Sequence, residues 1–303
     1  MNSPIPKLKP LPRTKHLGWS YSRNSTFDTC KRQYYYQYYG GYNIEQADKT
    51  FELKELTSVP LEIGDIAHKT IEKILTEYQS NPVRIDPGRV QSYVTRLAEL
   101  KVRTKVFADV YYEEREAINA ETELVEPVLS SMMNFLQSSR HDWILEEAIA
   151  SRDDWIIELK KPFEFGECLI GHLKGYGRID ALFPVNGDFY IFDWKTGEKG
   201  KYSQFDIQLK AYASWTRFHL DAPLQNIQAH IVLLQPQFEE HQMSFNDYDM
   251  EIFLDLVKSQ TDLMLSYCAE PDFNIPKPRE DFPMTENTKL CGYCNYRELC
   301  GRE

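Results

Sequence analysis

Gly177-Arg-Ile-Asp-Ala-Leu-Phe-Pro-Val-Asn-Gly-Asp-Phe-Tyr-Ile-Phe-Asp-Trp-Lys-Thr-Gly197 reads as a two-stranded ribbon, and the rest of the 303-residue chain is organised around it. Asn186-Gly187 is its turn: a two-residue type I′ turn needs positive φ at both positions, and Asn-Gly supplies that between apolar, aromatic and β-branched flanks. Counting outward with Val185 opposite Asp188, Phe183 meets Tyr190, Leu182 meets Ile191 and Asp180 meets Asp193. Side chains alternate along a strand, so Lys195 shares the Asp193 face, with Arg178 across from it. Opposed like charges destabilise a ladder by roughly 0.2–1 kcal/mol unless a cation lies between them. Mg²⁺ or Mn²⁺ is the natural candidate, because hard cations take carboxylate oxygens and keep positions for water and phosphate.

A solvated edge hairpin would leave the same aspartates merely facing water. The flanking residues count against it. Leu182, Phe189 and Ile191 lie on the aspartate face, and Ile179, Ala181, Phe183, Tyr190, Phe192 and Trp194 on the other. With both faces apolar, the ribbon belongs inside a sheet covered by helices, and acids buried at its end need a partner.

The chain is 42% hydrophobic and carries a formal charge of −11, which disfavours broad wrapping of duplex nucleic acid but leaves room for a local groove. Residues 1–50 hold eight Lys/Arg against three Asp/Glu, so the basic patch is N-terminal. No run of eighteen apolar residues occurs and MNSPIPKLKPLPRTKH lacks an apolar signal region, so a soluble cytoplasmic protein with no membrane partner is expected.

Taken in order, residues 1–18 read as irregular and 21–39 as one helix capped at Ser22 or Ser25, with Phe27, Cys30, Tyr34 and Tyr38 on one stripe. Packing explains its tyrosines better than base stacking, although both suit rings beside Lys31 and Arg32. Residues 59–79 form a second helix, with Ala67, Ile71, Ile74, Leu75 and Tyr78 at helical period. His68 lies at the margin of that stripe, as a satisfied core histidine or as a ligand, with Glu72 one turn on to orient it. Residues 82–149 are helical in pattern and carry no chemical motif. Trp155–Phe165 and Leu169–Leu173 read as strands. Residues 203–219 are helical, with Ile207, Ala211, Ser214 and Phe218 as the packed stripe and Gln208, Tyr212 and Trp215 beside it. Gln208 and Tyr212 are one turn apart and therefore neighbours. A strand over Ile227–Leu234 and a long amphipathic helix over Tyr248–Tyr267 follow.

The six cysteines fall at 30, 168, 268, 291, 294 and 300. Without a secretory signal a disulfide scaffold is not expected. Cys291-Gly-Tyr-Cys294-Asn-Tyr-Arg-Glu-Leu-Cys300 puts three thiols on a tight loop, and a tetrahedral or cubane site needs a fourth. Cys30, in its Lys/Arg/Tyr-rich turn, is the candidate. Cys168 and Cys268 sit in apolar patterns, as buried cysteines do. A structural Zn²⁺ fits the same spacing.

Gly64-x-x-x-His68, Gly177-x-x-Asp180, Asp193-Trp-Lys195-Thr-Gly197 and Gln208-x-x-x-Tyr212, in this order, resemble the PD-(D/E)xK nucleases of the RecB type. With Cys30 and the terminal cysteines, the chain is similar to the iron–sulfur subset that includes the AddB nuclease domain and the CRISPR adaptation nucleases. The resemblance covers roughly residues 20–80 and 155–302. Ile179 stands where the superfamily's name has proline, and Lys31 follows Cys30 where many relatives have proline.

The resemblance implies an α/β fold: a restriction-endonuclease-like central mixed sheet flanked by helices, with a helical insertion and a C-terminal iron–sulfur staple. The division follows as an N-terminal arm and first helices (1–82), the insertion (83–150) and the nuclease core with its cysteines (151–303), all one composite domain. His68, Asp180, Asp193 and the Trp194 carbonyl are then ligands of Mg²⁺ or Mn²⁺. Lys195 orients the attacking water, Gln208 and Tyr212 position substrate or Lys195, and Cys30, Cys291, Cys294 and Cys300 hold a 4Fe-4S cluster, with Zn²⁺ as the alternative. The implied activity is phosphodiester hydrolysis by a deoxyribonuclease, an exonuclease on single-stranded or end-exposed DNA, in repair, CRISPR adaptation or phage defence. A catalytically weak DNA-binding subunit of a helicase–nuclease or defence complex, and a zinc-stapled structural protein, are the competing readings. No Walker A pattern occurs, so any unwinding needs a separate helicase.

Overall fold

The computed structural model describes residues 17–42, 44–158, 174–197 and 205–302. The chain enters through a short strand β1 (Gly18–Trp19) and two helices, α1 (Tyr21–Thr29) and α2 (Lys31–Tyr39). The single helix expected over 21–39 is thus broken at Cys30, whose extended backbone (φ −161°, ψ 117°) ends α1 and starts α2. Tertiary bonds override local helix propensity here: Arg32 donates from its backbone N–H to Pro283 O (3.1 Å) and from Nε to Phe282 O (2.8 Å). The cap is Ser20 rather than Ser22 or Ser25, its hydroxyl accepting the Arg23 N–H at 3.1 Å. Tyr34, Tyr35, Tyr36 and Tyr39 are buried, so these tyrosines do pack.

Next come α3 (Ala47–Lys54), α4 (Val59–Ser80), α5 (Pro87–Thr104), a one-turn α6 (Ala108–Tyr111), α7 (Glu126–Leu136) and α8 (Ser139–Glu146). The sheet and its partners follow: β2 (Ile156–Ile157), β3 (Lys174–Gly175), β4 (Ala181–Val185), β5 (Asp188–Lys195), α9 (Asp206–Leu220), β6 (Ile227–Leu233), β7 (Glu239–Ser244) and α10 (Asp247–Leu265). A small pair, β8 (Cys268–Glu270) and β9 (Ile275–Pro276), precedes the terminal cysteines. The arm over 1–16, Cys168, and the strand readings beyond Glu158 and over Leu169–Leu173 lie outside the described residues.

The hairpin forms in the register that the turn dictates. Val185 pairs with Asp188, Phe183 with Tyr190 and Leu182 with Ile191, and Asn186 and Gly187 take φ of 53° and 94°. The sheet order is β2-β4-β5-β6-β7, antiparallel except for the parallel β5–β6 pair, so the α/β sheet is mixed. Edge strand β7 (Glu-Glu-His-Gln-Met-Ser) pairs with β6 alone and lacks apolar alternation, which is why its composition gives no strand signal.

Helices cover both faces. Leu182, Ile191, Ala229 and Ile231 join a core with residues of α1, α2, α9 and α10, while Ala181, Phe183, Phe192, Trp194 and Val232 join one with α4, α5, α7 and α8. Ile179 packs in the first core, on the side opposite to strict alternation, because it precedes the regular part of β4. On α9, Ala211 and Ser214 of the expected stripe are buried while Ile207 and Phe218 are half-buried, and Leu209, Tyr212, Ala213 and Trp215 are buried too, so the stripe holding Tyr212 packs as well.

In the helical layer His141 is fully buried, with Nε2 2.8 Å from Tyr78 Oη and Arg84 against Nδ1. Burial, helped by Arg84, lowers its pKa to about 4. A depressed histidine contributes stability fully above its unfolded pKa near 6.5 and loses it as pH falls toward 4, because the unfolded chain takes the proton first. We expect the unfolding free energy in urea to drop by roughly 2–3 kcal/mol from this group between pH 7 and 4. In His141→Gln that part of the pH slope should vanish; an unchanged slope would remove His141 from the account.

Candidate active site

Three acids line up across the sheet. The hairpin register carried one step beyond Ala181–Phe192 sets Asp180 opposite Asp193, and the β2–β4 register (Ile157 to Ala181) carried one step further sets Glu158 opposite Asp180. The Glu158 N–H donates to Asp180 O at 2.8 Å, which fixes that step. The Trp194 N–H donates to Asp180 Oδ2 at 2.8 Å, which ties Asp180 to β5. Asp180 and Asp193 are 6% and 1% exposed, and Glu158 3%.

α4 brings His68 to this row from one layer. Its Nε2 donates to the Trp194 carbonyl at 2.9 Å, and Nδ1 lies 3.3 Å from both Glu158 Oε1 and Asp180 Oδ1. Burial pulls the imidazole pKa down, but Asp180 and Glu158 outweigh it and hold His68 protonated well above its ordinary range. Glu158 and Asp180 thus take the orienting place that helical spacing gave to Glu72, which lines an adjoining groove. Arg178 turns to Glu158, Nε to Oε2 at 2.5 Å, rather than to Lys195.

From the other layer α9 supplies Gln208 and Tyr212. Lys195 Nζ sits 2.5 Å from Asp193 Oδ2 and donates to Gln208 Oε1 at 3.3 Å. Gln208 Nε2 donates to Asp193 Oδ1 at 3.0 Å and to Tyr212 Oη at 2.7 Å. Tyr212 Oη in turn donates to Asp193 Oδ1 at 3.4 Å. Burial drives the Asp193 carboxyl pKa upward, partly opposed by Lys195 and reinforced by Asp180. Burial would also lower the Lys195 ammonium, but Asp193 and Asp180 hold it above its usual value.

His68, Glu158, Asp180, Asp193, Lys195, Gln208 and Tyr212 open on a cleft of about 460 Å³, walled also by Trp19, Tyr21 and Tyr176. The structure therefore gathers His68, Asp180, Asp193, Trp194, Lys195, Gln208 and Tyr212 at one place. Among the described residues, His68, Glu158 and Asp180 form the one His/Cys/Asp/Glu group gathered closely enough for a single metal ion. The donor set of carboxylates, an imidazole and a carbonyl suits a hard divalent cation, and Asp180 and Glu158 draw the imidazole toward its charged form.

Glu158 was not found from the sequence. Its signal is a carboxylate at the end of a short apolar strand, and no tight turn links that strand to β4, so no register could be counted. Its backbone lies at φ 40°, in the left-handed region that costs a non-glycine residue of order 1 kcal/mol or more and is concentrated at functional sites.

A second cluster lies apart from the cleft. Cys30, Cys291, Cys294 and Cys300 line a cavity of about 20 Å³ between the α1–α2 break and the C-terminal loop. Thr285 N–H donates to Cys30 Sγ and Arg302 to Cys291 Sγ, each at 3.4 Å. Burial pushes the Cys294 thiol up to about 11 and raises Cys300 as well. Cys268 is buried elsewhere, beside Tyr39 and Asn274.

A mixed sheet whose strand ends carry acids backed by a lysine is the equipment of a hydrolase that opens phosphodiester bonds. The chain belongs to the PD-(D/E)XK nuclease superfamily, whose sequence model matches residues 18–301. Nucleases of this superfamily use divalent metals. No curated protein matches the chain significantly, and no described helix is long and apolar enough to cross a membrane.

Replacing Glu158 by Gln should weaken Mn²⁺ binding by about 10- to 100-fold in calorimetry, the range for losing a carboxylate that holds a ligand. Wild-type Mn²⁺ affinity in that variant would exclude Glu158 from the metal site.

Proposed function

We propose that this chain is a divalent-metal-dependent deoxyribonuclease of the RecB-type, iron–sulfur branch, acting in the cytoplasm as an exonuclease on single-stranded or end-exposed DNA. The observation that carries this reading is the buried row Glu158, Asp180, Asp193 with the Lys195 ammonium 2.5 Å from Asp193. His68, Asp180, Asp193 and the Trp194 carbonyl, with Glu158 beside them, would hold Mg²⁺ or Mn²⁺. When bound, the ion supplies Lewis acidity at the phosphate and makes water a better nucleophile.

The chain's own groups do the rest. Lys195 presents a fixed ammonium where negative charge builds on the phosphate oxygens in the transition state, and in a dry site this needs no reorganisation. Gln208 spans Lys195 and Asp193 and holds both rotamers. Tyr212 adds a second donor to the Asp193 oxygen that Gln208 holds, leaving the other to Lys195. The half-buried aromatic cleft walls Tyr21 and Tyr176 suit unstacked bases, which supports the preference for single strands or ends. Lacking a Walker A pattern, the chain would receive unwound strands from a helicase or defence-system partner.

The four clustered cysteines support a structural 4Fe-4S cluster. Thiols raised by burial ionise only with a cation in place, and N–H donors onto Cys30 and Cys291 are the kind that surround cluster sulfurs.

Asp193→Ala and Lys195→Ala should each lower Mg²⁺- or Mn²⁺-dependent cleavage of labelled DNA by at least roughly 10²-fold without loss of fold, and EDTA should abolish it. Full activity in either variant sinks the assignment, and binding without cleavage by the wild type would favour a DNA-gripping subunit. Anaerobically purified protein should be brown, absorbing near about 400 nm, and Cys30→Ala should bleach it. A colourless wild type containing zinc decides for the other metal.

A further inference from the structure

The polar stripe of α4 does not stop at the cleft. Gly64, Asp65, His68 and Lys69 line the cleft, while Lys69, Lys73, Thr76, Glu77 and Ser80 line an adjoining groove of about 700 Å³. These positions recur at three- and four-residue spacing, so both depressions share one helix face, with Lys69 common to the two. From His68 to Ser80 the stripe runs about 18 Å at 1.5 Å per residue. Arg84, Arg89 and Tyr93 form the far wall.

In a chain of net charge −11, the groove is lined by Lys69, Lys73, Arg84 and Arg89 against Glu72 and Glu77, with Lys69 also paired to Asp65 at 2.6 Å and Arg84 to Asp142. Lys73 and Arg89 share Glu77, at 2.8 and 3.2 Å, yet remain 43% and 66% exposed. Exposed pairs of this kind contribute little and rearrange readily toward a stronger anion. Lys73 and Arg96 also flank the Tyr93 ring, 5.6 and 5.5 Å from its centroid, so an aromatic face lies among the cations. Cations spaced along a groove and an aromatic ring among them are what a single strand of nucleic acid requires.

We propose that this groove is the track for a single DNA strand running to or from the catalytic cleft, with phosphates over Lys69, Lys73 and Arg89 and a base against Tyr93. The proposal rests on the nuclease reading and adds to it the route of the substrate. Duplex DNA is the excluded occupant, because the track leads into the cleft that holds the buried acids.

The test is Lys73→Gln combined with Arg89→Gln, which keeps the side-chain stems and leaves the catalytic groups untouched. Binding of labelled strands of roughly 20 and roughly four nucleotides is measured with Ca²⁺ present, across a salt series, and cleavage with Mg²⁺. The double variant should bind the long strand about tenfold more weakly and lose about 1.4 from the slope of log K against log salt, near 0.7 for each lost contact. Affinity and cleavage for the short strand should stay within about twofold. Tyr93→Ala should weaken the long strand alone, by roughly 5- to 150-fold. Wild-type affinity and salt slope in the double variant, with cleavage intact, overturn the track and leave the nuclease standing. Equal losses for both lengths, or a lowered thermal midpoint accounting for them, overturn it too. A wild type that neither binds nor cuts either strand overturns both.

Discussion

Glu158, Asp180 and Asp193 stand side by side at the ends of three neighbouring strands, almost wholly out of water. Left alone, such a row cannot stay ionised, since desolvation and mutual repulsion both favour protonation. The protein meets it with positive charge on every side. Lys195 lies on Asp193, His68 lies between Glu158 and Asp180, which raise its pKa, and Arg178 closes on Glu158. A divalent cation would concentrate that neutralising charge at one point, which frees the imidazole to coordinate and the ammonium to face substrate.

Holding the row requires the sheet to keep its register, and three devices do so. The Asn186-Gly187 turn permits one pairing of β4 with β5. The parallel pair β5–β6 runs alongside without a shift, Asp193 against Ile231. The two apolar cores then penalise any slip, because moving one residue would drive Trp194 and Phe192 into the α9 layer and Asp193 into the α4 layer. The site is therefore built between layers: α4 delivers His68 from one side and α9 delivers Gln208 and Tyr212 from the other.

What could be read from the sequence follows from the range of the interactions. The hairpin, the α4 stripe and the Gln208–Tyr212 neighbourhood are set by contacts within about twenty residues, and the structure places them as turn chemistry and helical period require. The readings that failed depended on distant partners. Arg32 breaks the expected helix at Cys30 by bonding to Phe282 and Pro283. Glu158 meets Asp180 across a segment with no tight turn to count from. Arg178 chose Glu158 over the Lys195 side for the same reason, and β7 pairs only at an edge that asks for no apolar pattern.

The break at Cys30 also connects the two sites. α1 has nine residues and spans roughly 14 Å at 1.5 Å per residue. Its C-terminal end is Cys30, in the cysteine cavity, and its N-terminal end, with Ser20, Tyr21 and Ser22, walls the catalytic cleft. Just before it, Trp19 packs edge-on against Phe253 of α10 and donates from Nε1 to Gln260, which anchors that end in the core. In the proposed cluster, joining Cys30 to Cys291, Cys294 and Cys300 closes a loop of about 260 residues and so removes freedom from the unfolded chain. In the folded chain its effect would be local and directional. It would pin the far end of the helix whose near end shapes the cleft, so loosening the cysteines would be felt first in how the cleft grips a strand, while the acid row, held by the sheet, would keep its geometry.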